Sequence, residues 1–186
     1  MKKILVLGAL GQIGSELVDT LRQRYGEAHV IASDIRPSAI ADDRYIQHDC
    51  LNGPGTLEMV KAHNIDTLFH LPALLSATAE KDPLLAWNLN INGLIATLEV
   101  ARITGAAVFT PSSIGAFGPT TPADHTPQNT LMQPTKIYGI TKVSGELLCN
   151  YYYEKYGVDT RGLRYPGLIS YKTPPGGGTT DYAVDI

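Results

Sequence analysis

The hydrophobic positions of the chain alternate between two patterns. Short runs of consecutive apolar residues, of which 4–7 is the first, are typical of strands buried on both faces of a parallel sheet. Longer segments with apolar residues every three or four positions are typical of amphipathic helices. Segments of the two kinds follow each other to about residue 165. This alternation predicts an α/β fold with a doubly wound parallel sheet.

The pattern predicts six strands, at 4–7, 29–33, 45–48, 67–71, 106–110 and 159–165. Helical patterns follow the first glycine turn, begin at Gly55 or Thr56, run from about Pro83 to Thr104, and surround Tyr138. The inner face of the long helix is assigned to Leu85, Leu89, Asn92, Ala96 and Val100. The apolar stripe of the helix around Tyr138 is assigned to Ile140, Ser144, Leu147, Leu148, Tyr151 and Tyr152.

A glycine-rich turn follows the first strand, with Gly8, Gly11 and Gly14 in the spacing GxxGxxG. Between a strand and a helix, such glycines let the backbone approach a pyrophosphate at the helix N-terminus. Asp34 ends the second strand, where a carboxylate binds the ribose hydroxyls of NAD and repels a 2′-phosphate. Arg36 close by leaves an opening for NADP. For the glycines alone, a tight turn in another α/β fold is the alternative.

Tyr138 and Lys142 lie four residues apart and therefore share one helix face. A phenol ionises near pH ~10, and a neighbouring ammonium group favours the phenolate. The pair is thus suited to removing a hydroxyl proton, although a surface Tyr and Lys on an amphipathic helix is the alternative. Ser113 follows the fifth strand, at the edge of the sheet where ligands bind, and is placed to hydrogen-bond a substrate oxygen.

Composition narrows the classes of partner. The chain has 186 residues, a net charge of −3 and 44% hydrophobic residues, which predicts one globular domain and no nucleic-acid or anionic-membrane surface. Cys50 and Cys149 are far apart and the five histidines are scattered, so neither a disulfide framework nor a metal site is expected. No signal peptide or membrane span is recognised, and a cytoplasmic location is expected.

Together the motifs resemble the extended, epimerase-like branch of the short-chain dehydrogenase/reductase family, and within it the NAD-dependent L-threonine 3-dehydrogenases. The resemblance covers the whole chain, with further matches at 111–118, 163–170 and 172–183. Leu7 departs from it, because the family usually has threonine before the first glycine. The resemblance implies a Rossmann-like fold and oxidation of the threonine 3-hydroxyl to 2-amino-3-oxobutanoate with NAD⁺.

The resemblance also implies roles for individual residues. Tyr138 would remove the hydroxyl proton, Lys142 would lower its pKa and hold the nicotinamide ribose, and Ser113 would orient the substrate oxygen. The implied cofactor contacts are Gly8, Gly11, Gln12, Ile13, Asp34, Asp49, Leu71, Ala73, Tyr138, Lys142 and Tyr165. The implied substrate contacts are Ser76, Ser113, Tyr138, Thr179 and Asp181. A homodimer through two long helices, 89–104 and 138–156, is also implied.

Family members continue well beyond Ile186. Residues 1–169 are therefore predicted to form the NAD-binding domain with the catalytic residues, and 170–186 the start of an incomplete substrate lobe. A fragment, a naturally short gene and a remainder on a separate chain all stay open. Two rival functions also stay open: a nucleotide-sugar epimerase or dehydratase with bound NAD, and a non-catalytic NAD-binding module.

Overall fold

The computed structural model describes residues 3–38, 42–169 and Lys172. The strands of this part of the chain are β1 (Ile4–Leu7), β2 (Val30–Asp34), β3 (Tyr45–Gln47), β4 (Thr67–His70), β5 (Ala107–Phe109), β6 (Ser112–Ser113), β7 (Thr160–Arg161) and β8 (Arg164–Tyr165). Its α-helices are α1 (Gln12–Tyr25), α2 (Gly53–Ala62), α3 (Ser76–Lys81), α4 (Pro83–Trp87), α5 (Gly93–Thr104) and α6 (Ile137–Tyr156). Two 3₁₀ turns (Glu27–His29 and Ile114–Ala116) and one π turn (Asn88–Asn92) complete the elements.

Six strands form one parallel sheet in the order β3-β2-β1-β4-β5-β7. The order reverses between β1 and β4, where Ile4 pairs with Val30 on one side and with Thr67 on the other. At such a reversal the loops after the strands diverge and leave a crevice at the carboxyl ends. The predicted Rossmann-like sheet is confirmed, and the crevice is where a ligand is expected.

Strand β1 shows why its residues are apolar without interruption. Leu5 and Leu7 pack into a core cluster with residues of α2, α5 and α6. Ile4 and Val6 point the other way and pack with residues of α1. Each fully buried side chain of this size contributes roughly 1.5–3 kcal/mol of transfer free energy. Because helices cover both faces, the doubly wound arrangement is confirmed.

The long helix is continuous from Pro83 to Thr104 but contains the π turn. Its predicted inner face is wrong in part, because Leu85 is half exposed and Asn92 is exposed. Asn90 and Ile91 are buried instead. A π turn adds one residue to the local repeat and so rotates the positions that follow relative to those that precede it.

This helix is also long and apolar enough to be a candidate membrane span, which was not expected from the sequence. The segment Pro83–Thr104 has 22 residues and a mean hydropathy of 1.2, enough to cross a bilayer by length and composition. Half of it is buried inside the fold. Burial against the sheet and α6 is the pattern of a core helix, which meets the same criteria.

The stripe assigned to α6 is only partly buried, with Tyr152 in the core and Leu148 packed against it. Leu147 is 61% exposed and Tyr151 is 49% exposed. The side of α6 that faces the protein carries smaller residues, with a cysteine and a tyrosine near its end: Gly139, Thr141, Gly145, Cys149 and Tyr152. Ile140, Leu147 and Tyr151 of the stripe therefore face outward in the single chain. Pairing of two copies through the long helices stays a prediction.

The predicted sixth strand is two strands. Thr160 and Arg161 (β7) extend the main sheet, whereas Arg164 and Tyr165 (β8) pair with β6 in a second, two-stranded sheet. The chain changes sheet at Gly162, where a Cβ atom would lie 2.7 Å from the Thr110 carbonyl oxygen. The second sheet places Tyr165 directly beside Ser113, so this correction bears on the site.

Two helix starts also differ from the sequence reading. Helix α2 begins at Gly53, two residues earlier than expected, because the Asn52 side chain caps it by accepting a hydrogen bond from Gly55 N at 3.1 Å. Helix α3 (Ser76–Lys81) was not predicted. At six residues it is too short for a helical period to be recognised in the sequence.

Candidate active site

Two clefts open at the carboxyl edge of the sheet and share the segment 71–73. The first, of about 630 Å³, surrounds the turn after β1 and is here termed the glycine cleft; its lining includes Gly8, Gly11, Gln12, Ile13, Asp34 and Asp49. The second, of about 640 Å³, lies between α6 and the second sheet and is termed the lysine cleft; its lining includes Pro111, Ser112, Lys142, Glu146, Arg164 and Tyr165.

The glycine turn has a shape that other residues cannot take. Gly8 has a φ of +77°, in the left-handed region that favours glycine. A Cβ atom on Gly14 would lie 2.1 Å from the Gly8 carbonyl oxygen, so α1 can start this close to β1 only with glycine there. Among the described residues no side chain caps the N-terminus of α1. Its first backbone N–H groups therefore face the cleft as a site for an anion.

Asp34 lies at the end of β2 and is 7% exposed. Its carboxylate accepts hydrogen bonds from Leu10 N at 3.0 Å and from Arg36 Nε at 3.1 Å. Burial acts to raise the pKa of Asp34, but the bonds from Arg36 and Leu10 outweigh it and lower that pKa below its ordinary value. Asp34 is therefore a fixed negative charge beside the glycine turn. Arg36, the residue that left an opening for NADP in the sequence, forms an ion pair with Asp34.

The remaining residues predicted to contact the cofactor divide between the clefts. Asp49 borders the glycine cleft, and its side chain accepts a hydrogen bond from Leu51 N at 2.9 Å. Leu71 and Ala73 border both clefts, and Tyr165 borders the lysine cleft. An elongated ligand with an anionic centre fits this arrangement, with one end at Asp34 and the other at Lys142. A dinucleotide has that form.

Tyr138 and Ser113 meet across Gly115. A Cβ atom on Gly115 would lie 3.3 Å from the Tyr138 ring and 3.4 Å from Ser113 Oγ, so the glycine leaves room for both. The Ser113 hydroxyl is within hydrogen-bonding reach of the phenol, and it also accepts from Gly115 N at 3.0 Å. The two residues that the sequence predicted as base and substrate-orienting group thus lie close together, on either side of Gly115.

Lys142 is one helical turn beyond Tyr138, with its Nζ 5.4 Å from the centroid of the tyrosine ring. Nζ donates a hydrogen bond to the Pro111 carbonyl oxygen at 2.9 Å. Burial lowers the pKa of Lys142 to about 8. Burial also raises the pKa of Tyr138, and the bond to Ser113 only opposes this. The net shift of the Tyr138 pKa is therefore upward, opposite to the lowering expected from Lys142.

Comparison with known proteins identifies the family. Residues 4–182 match the NAD dependent epimerase/dehydratase family. The chain belongs to this family. An uncharacterised epimerase/dehydratase from Staphylococcus epidermidis is 57% identical over 190 aligned residues, covering all of this chain and 60% of the relative. The family is NAD dependent, and the cofactor is therefore NAD.

Solved structures of L-threonine dehydrogenases are similar to this chain throughout. That from Clostridium difficile is 57% identical with a TM-score of 0.95, covering all of this chain and 60% of its own. The holo form from Cupriavidus necator is 54% identical with a TM-score of 0.94, covering 98% of this chain and 60% of its own. The resemblance drawn from the sequence is confirmed. The chain spans about three fifths of the length of these relatives.

The buried face of this epimerase/dehydratase-family fold also contains Asn90, which the sequence reading missed. Its Oδ1 accepts from Leu74 N at 2.8 Å, and its Nδ2 donates to Leu74 O at 3.2 Å and to Thr141 Oγ1 at 3.1 Å. Asn90 thus ties the segment after β4 to the turn of α6 between Tyr138 and Lys142. Asn90 lies within the π turn and is buried, whereas the sequence assigned Asn92 to the inner face.

His70 is a second missed residue, at the end of β4 on the lysine cleft. Its Nδ1 lies 2.8 Å from Thr97 Oγ1, and within the described part of the chain its Nε2 has no hydrogen-bond partner. Burial lowers the pKa of His70 to about 3, and the charge of Lys142 acts in the same direction. The ring is therefore neutral in the folded chain at pH values well below the ordinary pKa of histidine.

One predicted substrate residue, Ser76, is not brought to either cleft. Ser76 is the first residue of α3 and lines neither cleft. Thr179 and Asp181 lie outside the described residues. The contacts predicted for the amino acid therefore stay predictions. The residues predicted to contact NAD line the two adjoining clefts with the exception of Tyr138, and Tyr138 and Ser113 lie beside Lys142 without lining either cleft.

Proposed function

We propose that the protein is an NAD-dependent L-threonine 3-dehydrogenase, which oxidises the 3-hydroxyl of L-threonine to give 2-amino-3-oxobutanoate. The observation that carries the reaction type is the closeness of Ser113 to Tyr138 beside Gly115, one helical turn from Lys142, which lines the lysine cleft. The substrate rests on similarity to the threonine dehydrogenase structures at 54–57% identity.

In the proposed reaction Tyr138 removes the proton of the substrate hydroxyl, and Ser113 hydrogen-bonds the same oxygen. A base must be within hydrogen-bond reach of its proton, and the phenol and the serine hydroxyl already meet at one point. Lys142 carries positive charge one turn away and favours the phenolate once the proton leaves. When bound, NAD⁺ supplies the electron acceptor for this two-electron oxidation.

Burial shifts the pKa values of Tyr138 and Lys142 in opposite directions. The pKa of Lys142 falls to about 8, while that of Tyr138 is raised above its ordinary value. Positive charge brought by the oxidised cofactor would act on the phenol and lower its pKa towards the working range. We assign proton removal to the holoenzyme for this reason.

Threonine also presents an ammonium and a carboxylate, which the site must satisfy. By resemblance, Asp181 is proposed to pair with the ammonium, and Thr179 and Ser76 to bond the other polar atoms. A nucleotide-sugar substrate would need a different set of contacts beyond the nicotinamide. The likeness to a UDP-glucose 4-epimerase of Brucella ovis, at 22% identity and a TM-score of 0.81, concerns the fold alone.

The test is NADH formation by the purified 186-residue protein with NAD⁺ and L-threonine, compared with L-serine and UDP-glucose. Turnover that depends on L-threonine and greatly exceeds that on L-serine is the expected result. Turnover on UDP-glucose instead would replace the substrate class. NAD binding without NADH from any of the three would contradict the proposal that these residues suffice for the reaction.

A further inference from the structure

Glu146 continues the line of Tyr138 and Lys142 along α6, because positions 138, 142 and 146 are four apart. The segment that opposes this face is 111–113, which connects β5 to the 3₁₀ turn. Each helix residue contacts one residue of that segment. The contacts are Tyr138 with Ser113, Lys142 Nζ with Pro111 O at 2.9 Å, and Glu146 Oε1 with Ser112 Oγ at 2.5 Å.

Glu146 also binds the next strand of the second sheet. Arg164 donates from Nε to Glu146 Oε1 at 2.9 Å and from Nη2 to Glu146 Oε2 at 2.7 Å, which is a two-pronged pair. Both side chains are largely covered, with 17% and 21% exposed. Burial acts to raise the pKa of Glu146, but the bonds from Arg164 and Ser112 outweigh it and keep the carboxylate ionised.

Arg164 in turn reaches both limbs of the loop 117–136. Its Nη1 donates to the Gln128 carbonyl oxygen at 3.0 Å, and its guanidinium lies over the Phe117 ring at 5.4 Å from the centroid. Gln128 and Asn129 form part of the wall of the lysine cleft. One carboxylate therefore connects the serine segment, the strand that carries Tyr165 and the loop wall.

We propose that Glu146 is a positioning residue: through Ser112 and Arg164 it fixes the segment that carries Ser113 and the loop that walls the reaction cleft. Glu146 borders the cleft without contacting Tyr138 or the reacting atoms as assigned above. The inference rests on the proposed function only for the roles of Ser113 and Tyr138. The geometric part, which concerns the loop and the serine segment, is independent of the substrate.

The chain contains a matched control. Asp159 and Arg161 form a pair of the same two-pronged geometry, with both distances 2.9 Å. Their side chains are 50% and 76% exposed, and Asp159 lines neither cleft. Removing Asp159 deletes a more exposed carboxylate–guanidinium contact of the same geometry, outside 111–113 and 117–136, although Arg161 itself lines the lysine cleft.

The first measurement is hydrogen–deuterium exchange of the NAD-bound chain, in Glu146→Ala, Arg164→Lys and Asp159→Ala. Glu146→Ala and Arg164→Lys are each expected to speed exchange in 117–136 at least about tenfold, because the hydrogen bond from the charged Arg164 to Gln128 restrains that loop. Asp159→Ala should leave the loop unchanged. The proposal would be overturned if 117–136 exchanged at the wild-type rate in both Glu146→Ala and Arg164→Lys. It would also be overturned if the exchange rates of β1 and β4 rose as much as that of the loop.

The second measurement separates positioning from bulk stability. Glu146→Ala is expected to lower kcat about tenfold, with the KM for NAD unchanged, and Glu146→Gln, which keeps an acceptor for Ser112, should recover part of kcat. Because Ser113 opposes the rise of the Tyr138 pKa, loss of its alignment should move the acid limb of the pH–rate profile upward. A raised KM for NAD with kcat and pH profile unchanged would contradict the assignment.

The two measurements also separate this inference from the proposed function. If the wild-type chain does not oxidise L-threonine, the dehydrogenase assignment fails, while the exchange experiment still decides whether Glu146 and Arg164 hold the loop. If turnover is present but neither the exchange of the loop nor the pH–rate profile changes in the Glu146 variants, the positioning role of Glu146 fails and the dehydrogenase assignment stands. Arg164→Lys keeps the positive charge but loses the two-pronged pair with Glu146. It provides the test if Glu146→Ala does not fold.

Discussion

The glycine cleft and the lysine cleft open on the same edge of one sheet, but they are built from different parts of the chain. The shape of the glycine cleft comes mainly from backbone: the positive φ of Gly8, the contact of Gly14 with the Gly8 carbonyl, and the uncapped start of α1. The lysine cleft is made of side chains that titrate and are partly or wholly buried, among them His70, Lys142 and Glu146.

This difference predicts two kinds of sensitivity. A site shaped by backbone fails when an added carbon atom has nowhere to go, whatever its charge. A site made of buried titratable groups fails when a proton or a hydroxyl is misplaced, even if the volume is unchanged, because desolvation makes each unpaired charge costly. Binding of NAD and turnover should therefore be separable by mutation.

The largest effect is expected at Tyr138. Tyr138→Phe removes the hydroxyl next to Ser113 and should lower turnover by roughly 10²–10⁴-fold, the usual contribution of a positioned acid–base group. NAD affinity should be unchanged, because the glycine cleft is untouched. Initial rates and NAD titrations measure the two quantities. Tyr153→Phe, on the same helix with its side chain 61% exposed, is the control. Full turnover by Tyr138→Phe would remove the assigned base.

The next effect belongs to the glycine cleft. Gly14→Ala places a carbon 2.1 Å from the Gly8 carbonyl oxygen, so the turn or the start of α1 must move. We expect NAD affinity to fall at least about 100-fold, equivalent to about 2.7 kcal/mol, by titration calorimetry.

Gly53→Ala is the matched change, because there the added carbon meets Ala96 at an ordinary 3.5 Å in the first turn of α2. It should leave NAD affinity unchanged and stabilise the helix by roughly 0.5–1 kcal/mol. Equal NAD affinities in the two alanine variants would show that the glycine cleft is not shaped by this close approach.

The sequence was most informative where the chemistry is local. Consecutive apolar residues predicted the strands, and the spacing of Gly8, Gly11 and Gly14 predicted the turn, because each depends on neighbouring residues. The same holds for Tyr138 and Lys142, one helical turn apart. Periodicity predicted that α6 has an apolar stripe but not what covers it, so the outward direction of Leu147 could not be derived.

The parts that could not be predicted depend on distant pairing. Glu146 meets Ser112 from 34 positions away, and Asn90 meets Thr141 from 51 positions away. A single sequence contains no signal for such contacts, although the four-residue step from Lys142 marked Glu146 as lying on the same face. The split of the last strand into β7 and β8 likewise depends on the partner of each half, β5 and β6.

The smallest effect is expected from His70, and it tests whether the lysine cleft disfavours a second buried charge. The pKa of His70 is lowered to about 3, so below about pH 6.5 the unfolded chain binds a proton that the folded chain does not. Stability from this group is fully present above the unfolded pKa and is lost as pH falls. The loss is about 1.4 kcal/mol at about pH 5.5, one unit below.

Urea unfolding of the wild type and of His70→Gln between about pH 5 and 7.5 measures this difference. The free energy of unfolding should fall more steeply with decreasing pH in the wild type, whereas His70→Gln lacks that component. His63→Gln, at the exposed end of α2, should retain the wild-type slope. Equal slopes in wild type and His70→Gln would mean that the His70 ring is protonated in the folded chain. The lysine cleft would then hold the positive charges of His70 and Lys142 side by side. Burial would no longer explain why protonation of groups in this cleft is costly.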